Sequence, residues 1–470
     1  MDLKKSKRLL MVLAVVFWVF AIGIYAIGFE QFRTSTVSAD VAKPQYVIGE
    51  IVDGMELEQN FASPVNTIRD FNIMMATYNR GNTGKMTVML TNEAGDVLFS
   101  RTLDLATLQD NQYAVFQLET PVKVTHGETL TVTMRTQGST PGNAVTVYAG
   151  GASTPYQLIG QNGEGALSIR VNGERMRSFY IYYWLIVSGM FLVALCYLLI
   201  CWRAAKQGKT NGLVSLCTVY SRYSFLIKQL VSRDFKTKYK RSALGMAWSF
   251  MNPLLTMSVQ YVVFSTLFRT DIPNYPVYLL TGIVFFSFFN EAITMGMTSI
   301  TGNAALIKKV YMPKYIYPVS RIISSLVNFG FALMPLFLVM LLTGTPFRWS
   351  MLLLLFDILC LLAFVTGMTL LLTTAMTFFQ DTQFLWSVVG MMWQYLTPIF
   401  YPESIIPASI QPLYRLNPLY QFITFARTCI TTGVSPAPEA YAACLLSGGL
   451  VLLLGMLVFK KHQNKFVLYV

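Results

Sequence analysis

The chain holds two histidines, His126 and His462, and six cysteines: Cys196, Cys201, Cys217, Cys360, Cys429 and Cys444. No cysteine pair has zinc-ligand spacing with a histidine nearby, so these residues argue against metal or histidine-based nucleophilic chemistry. Gly208-Lys209-Thr210 ends like a phosphate-binding loop. That loop needs a glycine five residues before Gly208, where Arg203 stands, and a strand ahead of it. No nucleotide site is therefore legible, and no cofactor is expected on this chain. Three other groups carry chemistry. Arg233, Lys236, Lys238, Lys240 and Arg241 form a basic collar with one acid, Asp234, among them. Tyr78, Asn79, Arg80 and Asn82, and again Asp110, Asn111 and Tyr113, set amide and charged groups beside tyrosines. A sugar site uses that mixture, planar amides for hydroxyls and rings for stacking; two polar loops of a spacer domain would read the same. Glu291 lies inside an apolar run, where a carboxylate is costly unless it is paired or lines a hydrated path.

The elements that hold these groups are mostly membrane helices. The 470 residues are 54% hydrophobic and 13% charged, too apolar for an ordinary soluble domain. Net charge is +13, but residues 29–178 carry −4 and residues 203–243 carry +9. Basic charge beside apolar runs marks cytoplasmic flanks, not a nucleic-acid surface. Lys4, Lys5, Lys7 and Arg8 precede Leu9–Gly28, which reads as an uncleaved first anchor within segment 1–28. Residues 29–178 alternate apolar and polar residues in short runs, as in Thr129–Met134, and hold no cysteine. Lys85–Thr91 and Val97–Leu103 flank a turn at 92–96. Tyr46–Ile51, Ile68–Thr77, Tyr113–Leu118, Val145–Tyr148 and Ala166–Val171 are further strands. Together they predict an extracytoplasmic, antiparallel, jelly-roll-like β-sandwich. Phe179–Trp202 is the second anchor, with Tyr180, Tyr182, Tyr183 and Trp184 as an aromatic belt. Segment 203–243 is a cytoplasmic linker, an amphipathic interface helix over Leu213–Val231, and the collar.

From Leu244 to Phe268 there are 25 uncharged residues. Further spans are expected at Val277–Ile300, Val319–Thr343, Ser350–Phe379, Phe384–Phe400 and Tyr441–Phe459. The expectation is a mostly α membrane protein with eight transmembrane helices, two anchors plus a six-helix core over 244–462. A cytoplasmic tail follows at 463–470, and both termini lie in the cytoplasm. Prolines 402, 407, 412, 418, 436 and 438 break up residues 401–437, which should form short half-helices packed within the protein on the outer side.

Three motifs carry a resemblance over about 213–462. The first is the entry KYKRSALGMAWSFMNPLL, with Gly245, Trp248, Asn252 and Pro253. The second is Leu306 to Lys314 (LIKKVYMPK). The third is Thr397 to Pro402 (TPIFYP), followed by Asn417-Pro418-Leu419. Together they resemble the membrane subunit of type-2 ABC exporters of polysaccharides, the O-antigen, teichoic-acid and capsule type. One position departs: Gln380 stands where the family often has an arginine before Asp381. The resemblance implies a plasma-membrane permease, not an enzyme, that works as a homodimer in the bilayer. A separate ABC ATPase subunit would bind ATP and Mg, and a polysaccharide or lipid-linked glycan would be the cargo. ATPase docking is expected at Ala304, Ala305, Leu306, Ile307, Lys308, Lys309, Val310, Tyr311, Met312 and Pro313 and at the basic collar. The aromatics Trp248, Phe250, Trp393, Tyr395, Phe400 and Tyr401 are the expected glycan path, since sugar rings present apolar faces to flat side chains.

Two other classes fit less well. A drug or small-molecule exporter of the same fold would need no outer sugar-binding domain. A membrane sensor would need a cytoplasmic output domain, and the longest inner segment is about 40 residues.

Overall fold

The computed structural model describes residues 3–469 apart from 152–153, 159–160, 207–211, 239, 241–243, 246, 269–271, 273, 310–311 and 408. The chain divides into two compact units, Phe32–Tyr182 and the helical remainder, Met1–Gln31 with Tyr183–Val470.

The first unit is two antiparallel sheets that share one core. One sheet runs Thr34–Asp40, Ile169–Met176, Thr67–Ala76, Thr146–Gly150, Ala166–Leu167, and Gln112–Lys123 also pairs with Thr67–Ala76. The other runs Gln161–Asn162, Gln157–Leu158, Glu56–Ala62, Thr129–Gln137, Lys85–Thr91, Val97–Asp104. Strand Lys85–Thr91 reads buried at every second residue, so Met86, Val88 and Leu90 enter the core. Phe71 and Phe116 stack there at 5.2 Å, with Phe99 edge-on to Phe71 at 5.4 Å. Gln59 is fully buried between the sheets; its carbonyl accepts the Leu167 amide at 2.9 Å and its amide donates to the Asn60 carbonyl at 2.7 Å. The 92–96 turn closes through the Asn92 side chain, which accepts the Asp96 amide at 2.8 Å. Strands Thr34–Asp40 and Glu56–Ala62 have no counterpart in the sequence reading, because their polar residues hide the alternation.

The second unit holds α1 (Leu3–Arg33), α2 (Phe179–Lys206), α3 (Gly212–Lys238), α4 (Ala247–Phe268), α5 (Tyr275–Met297), α6 (Ala304–Lys309) and α7 (Ile316–Leu342). It continues with α8 (Leu354–Phe378), α9 (Thr382–Leu396), α10 (Gln411–Arg415), α11 (Pro418–Arg427) and α12 (Pro438–His462). Tyr183, one of the four aromatics expected to form a belt, packs against α1. It is buried, and its hydroxyl donates to the Ala21 carbonyl at 2.7 Å while Trp184 stacks on Trp18 at 6.4 Å, joining α2 to α1. Helices α8 and α12 approach closely through glycines: a Cβ on Gly448 would lie 2.6 Å from the Cys360 carbonyl oxygen, and one on Gly367 would strike the α12 backbone at Val451.

The eight-helix expectation is corrected here. Among the described residues six helices are long and apolar enough to cross a membrane: Ala14–Arg33, Phe179–Ile200, Tyr275–Met297, Ile316–Leu342, Trp349–Phe378 and Pro438–Tyr469. Ala247–Phe268 falls short because Asn252, Pro253, Thr256, Ser258 and Gln260 dilute its apolar residues. Thr382–Leu396 is only 15 residues, about 22 Å against a hydrocarbon core of roughly 30 Å. It stops there because Thr397 precedes Pro398 and is extended, with φ −100° and ψ 128°. The chain is thus a multi-pass membrane protein with six candidate spans and an extracytoplasmic β-rich region.

Candidate functional site

Three helices of the second unit turn polar rows toward one another. Ser287 and Glu291 lie one turn apart on α5, Asn252 and Thr256 on α4, and Ser325 and Asn328 nearby on α7. Between them is a cavity of about 290 Å³ that Trp248, Ser249, Ile283, Phe288 and Lys238 also line. Lys238 at the end of α3 reaches Glu291 at 2.8 Å, and the Asn328 amide donates to the same carboxylate oxygen at 2.6 Å. Glu291 is therefore both paired and placed on a cavity wall, the two options the sequence left open.

The end of α3 is tied to the core a second time. Asp234 is 5% exposed; Arg321 of α7 meets it at 2.9 Å and Arg233 at 3.3 Å, and the Ser324 hydroxyl donates to it at 3.4 Å. Arg233 also donates to the Asn303 side chain at 3.3 Å, just before α6. Sequence reasoning passed over Asp234 and Arg321; the signal was a single acid in a basic run. Helix α6 is seated by Ile307, buried with Ile300, Met312, Tyr317, Phe459 and Phe466, while Ala305, Lys308 and Lys309 face outward. Arg233 thus joins the basic collar to the start of the segment expected to dock an ATPase. Lys236, Lys238 and Lys240 are exposed; Arg241, Val310 and Tyr311 lie outside the described residues.

A family model described as "ABC-2 type transporter" matches residues 225–430. The chain is 30% identical over 246 residues to an "O-antigen export system permease protein RfbA" of Klebsiella pneumoniae, covering 51% of this chain and 93% of that relative. The protein of the same name from Myxococcus xanthus is 28% identical over 248 residues, covering 52% of this chain and 95% of the relative. This chain belongs to the ABC-2 type permeases. Membership implies an ABC ATPase partner and a homodimer embedded in the membrane. The matched residues, 225–430, contain none of the β unit.

On the other side of the permease core, Arg427 at the end of α11 is 6% exposed and organises the segment after α9. Its guanidinium donates to the carbonyls of Pro398 at 2.7 Å, Ile399 at 2.9 Å and Tyr278 at 3.2 Å, and lies 3.4 Å over the Tyr278 ring. Gly282 makes room for it: a Cβ there would be 2.8 Å from the guanidinium. Helix α11 begins where Asn417 accepts the Leu419 amide at 3.1 Å, with Pro418 in the first turn. Asn417 also accepts from the Trp393 indole at 2.8 Å. Arg427 was missed in sequence, although a lone cation in an apolar stretch was its signal.

The six aromatics are not gathered into one cluster. Trp248 and Phe250 stand in the first turn of α4, and Trp248 opens onto the cavity. Trp393 lines a separate apolar cavity of about 310 Å³ with Leu413 and Tyr414. Tyr395 is exposed, the Tyr401 hydroxyl donates to its carbonyl at 2.8 Å, and Phe400 is buried under Phe264, stacked at 5.3 Å. Phe400 has no face to offer a passing sugar.

In the β unit the two tyrosine-amide loops do meet. Asp110 accepts the Thr77 amide at 2.6 Å and its hydroxyl at 3.1 Å. Burial pushes the Asp110 pKa up, but the Thr77, Asn79 and Tyr78 amides outweigh it and hold it below the ordinary carboxylate value. Tyr78, Asn79 and Asn111 all take left-handed φ near 56°, a strained choice that the Asp110 bonds hold in place. Asn82 is buried and donates to the Thr77 carbonyl at 3.2 Å, so it supports the loop from inside. Arg80 pairs with Glu50 and lies over the Tyr78 ring; Arg170 lies 4.4 Å over Tyr113. Tyr113 also lines a cleft of about 390 Å³ with Arg101, Gln109 and Gln112.

Proposed function

We propose that this permease exports a cell-surface polysaccharide, in lipid-linked or free form, with both termini and the α3–α6 face in the cytoplasm. The observation that carries the reading is the 30% identity spanning 93% of a relative named as an O-antigen export permease. The paired ATPase subunit, binding ATP and Mg, would dock on residues 304–313 and the basic collar. Exposed Lys308 and Lys309 on α6 supply charge for that contact. Arg233 and Asp234 provide a route from α6 through α3 to α7, so a push on α6 would reach the helices around the cavity. Trp248 on the inner side and Tyr395 with Tyr401 on the outer side are the aromatics best placed to meet a glycan. The Tyr78–Asn82 and Asp110–Tyr113 loops and the cleft beside Tyr113 would give the exported chain a weak site in the β unit.

The decisive experiment removes the chain from its host and measures surface polysaccharide, alongside a variant reversing Lys308 and Lys309 to glutamate. Each exposed charge alone is worth little, so the double change is the informative one. Loss of surface glycan on deletion, and loss of ATPase co-purification in the double variant, are expected. Unchanged surface glycan on deletion would refute the export reading; full ATPase binding by the variant would refute only the docking face. Isolated segment 30–177, titrated with the exported glycan, tests the outer site.

A further inference from the structure

The cavity between α4, α5 and α7 has properties beyond those that place it in a transport path. Helix α5 is the most buried of the six candidate spans, and its phenylalanines 285, 286, 288 and 289 are all buried. Ser287, in their midst, is exposed, because it faces the cavity. The walls alternate hydroxyl and amide groups with flat or aliphatic surface: Asn252, Thr256, Ser287 and Asn328 against Ile283 and Phe288. Trp248, 44% exposed, stands at one side. Among the described residues the charged ones on the cavity wall are Lys238 and Glu291, and they are bonded to each other, so these walls carry no net charge.

From this we infer that the cavity is a binding subsite for one uncharged sugar unit of the exported chain. The inference rests on the export reading above and adds the position and chemical class of a contact. Size supports it: about 290 Å³ lies at the foot of the roughly 300–1,000 Å³ range of small-molecule sites. That is room for a sugar unit or two, not for a folded chain. The lining fits it too. A pyranose has an equatorial belt of hydroxyls, which amides and hydroxyls can meet, and an apolar face, which the Trp248 ring can cover. A phosphate or other anion would face the Glu291 carboxylate, and Lys238, which lines the cavity, is already committed to that carboxylate. An apolar drug would set the Asn252 amide and the Thr256 and Ser287 hydroxyls against hydrocarbon, which is costly. Lys238, at the end of the cytoplasmic helix α3, puts the mouth on the inner side.

The test uses the full chain with its ATPase subunit in the native membrane. A photoreactive diazirine side chain replaces Ser287, and in a control it replaces Leu453, an exposed apolar residue of α12. After illumination the permease is purified and probed for periodate-oxidisable sugar and for phosphate. Sugar joined to position 287 well above the Leu453 control is expected. Sugar at background in cells that still export through the chain overturns the subsite and leaves the export reading intact. Phosphate without sugar at position 287 overturns the uncharged ligand class. If surface glycan persists when the chain is deleted, the export reading fails and the subsite with it. A second variant, Ser287→Leu, fills the cavity without touching the Lys238–Glu291 bond. Export is expected to fall about tenfold, equivalent to about 1.4 kcal/mol, at normal membrane abundance and ATPase association; export at the wild-type rate overturns the inference.

Discussion

Arg69, Arg80, Arg135 and Arg170 of the β unit each pair with a carboxylate, and their side chains are 36–59% exposed. In the helical unit Asp234, Asp357 and Arg427 are no more than 6% exposed. The β unit keeps its charges in water and leaves its interior to apolar side chains and a few neutral polar ones such as Gln59, Asn72 and Asn82. The helical unit has little water to offer, so a charge retained there must be held by protein. Arg427 is held by three carbonyls and Asp234 by Arg321, Arg233 and Ser324. Both tie together segments far apart in sequence. A surface pair contributes about 0–1 kcal/mol, whereas breaking a buried one costs about 3–5 kcal/mol. The charges of the helical unit therefore decide how its segments are joined, and those of the β unit mostly do not.

The largest expected effect is at Arg427. Arg427→Met leaves the carbonyls of Tyr278, Pro398 and Ile399 without this donor and should destabilise the solubilised permease by about 1–3 kcal/mol for each carbonyl left unsatisfied. Thermal unfolding in detergent measures it; a shift no larger than that of Arg69→Met in the β unit would remove the contrast between the units. Next is Asp234→Ala, which strands Arg321 and should cost about 3 kcal/mol. Replacing Asp234 and Arg321 together by leucine should recover most of the stability while lowering export, because the apolar pair packs but no longer transmits through α3. Recovery of export as well would show that the pair only braces the fold.

Asp357 on α8 predicts the opposite sign. It is fully buried, and neither carboxylate oxygen has a hydrogen bond of ordinary geometry among the described residues, although the Cys444 thiol lies beside it. Asp357→Leu should leave stability unchanged or raise it by about 1–2 kcal/mol. A clear loss would place a partner there and extend the rule seen at Asp234. The smallest effect belongs to the β unit. The Gly142 amide and the Arg80 side chain hold Glu50 below its ordinary value of 4.5. A carboxyl depressed in the fold stabilises above its unfolded pKa, and the gain disappears as pH falls through the folded pKa. Melting of the isolated β unit should therefore decline below about pH 4.5, and Glu50→Gln should flatten that decline slightly. Equal pH dependence in both proteins would remove Glu50 from the acid response.

The sequence by itself determined what depends on neighbours along the chain. Period-two runs such as Thr129–Met134 gave the β unit its strands, and the basic runs before Leu9 and Leu244 set which flanks are expected in the cytoplasm. Three local motifs named the permease family. The span count was not settled in this way, because hydropathy was read through Pro398 and across the polar residues of 252–260. Only the tertiary structure decided which polar groups meet. The Lys238–Glu291 bond spans 53 positions, Asp234 and Ser324 are 90 apart, and Arg427 reaches the Tyr278 carbonyl across 149. Such pairings leave no periodic trace, because a buried charge is satisfied by whichever segment folding brings within about 3 Å. For the same reason Phe400 and Trp248, equally aromatic in sequence, end up one sealed beneath Phe264 and the other open to the cavity.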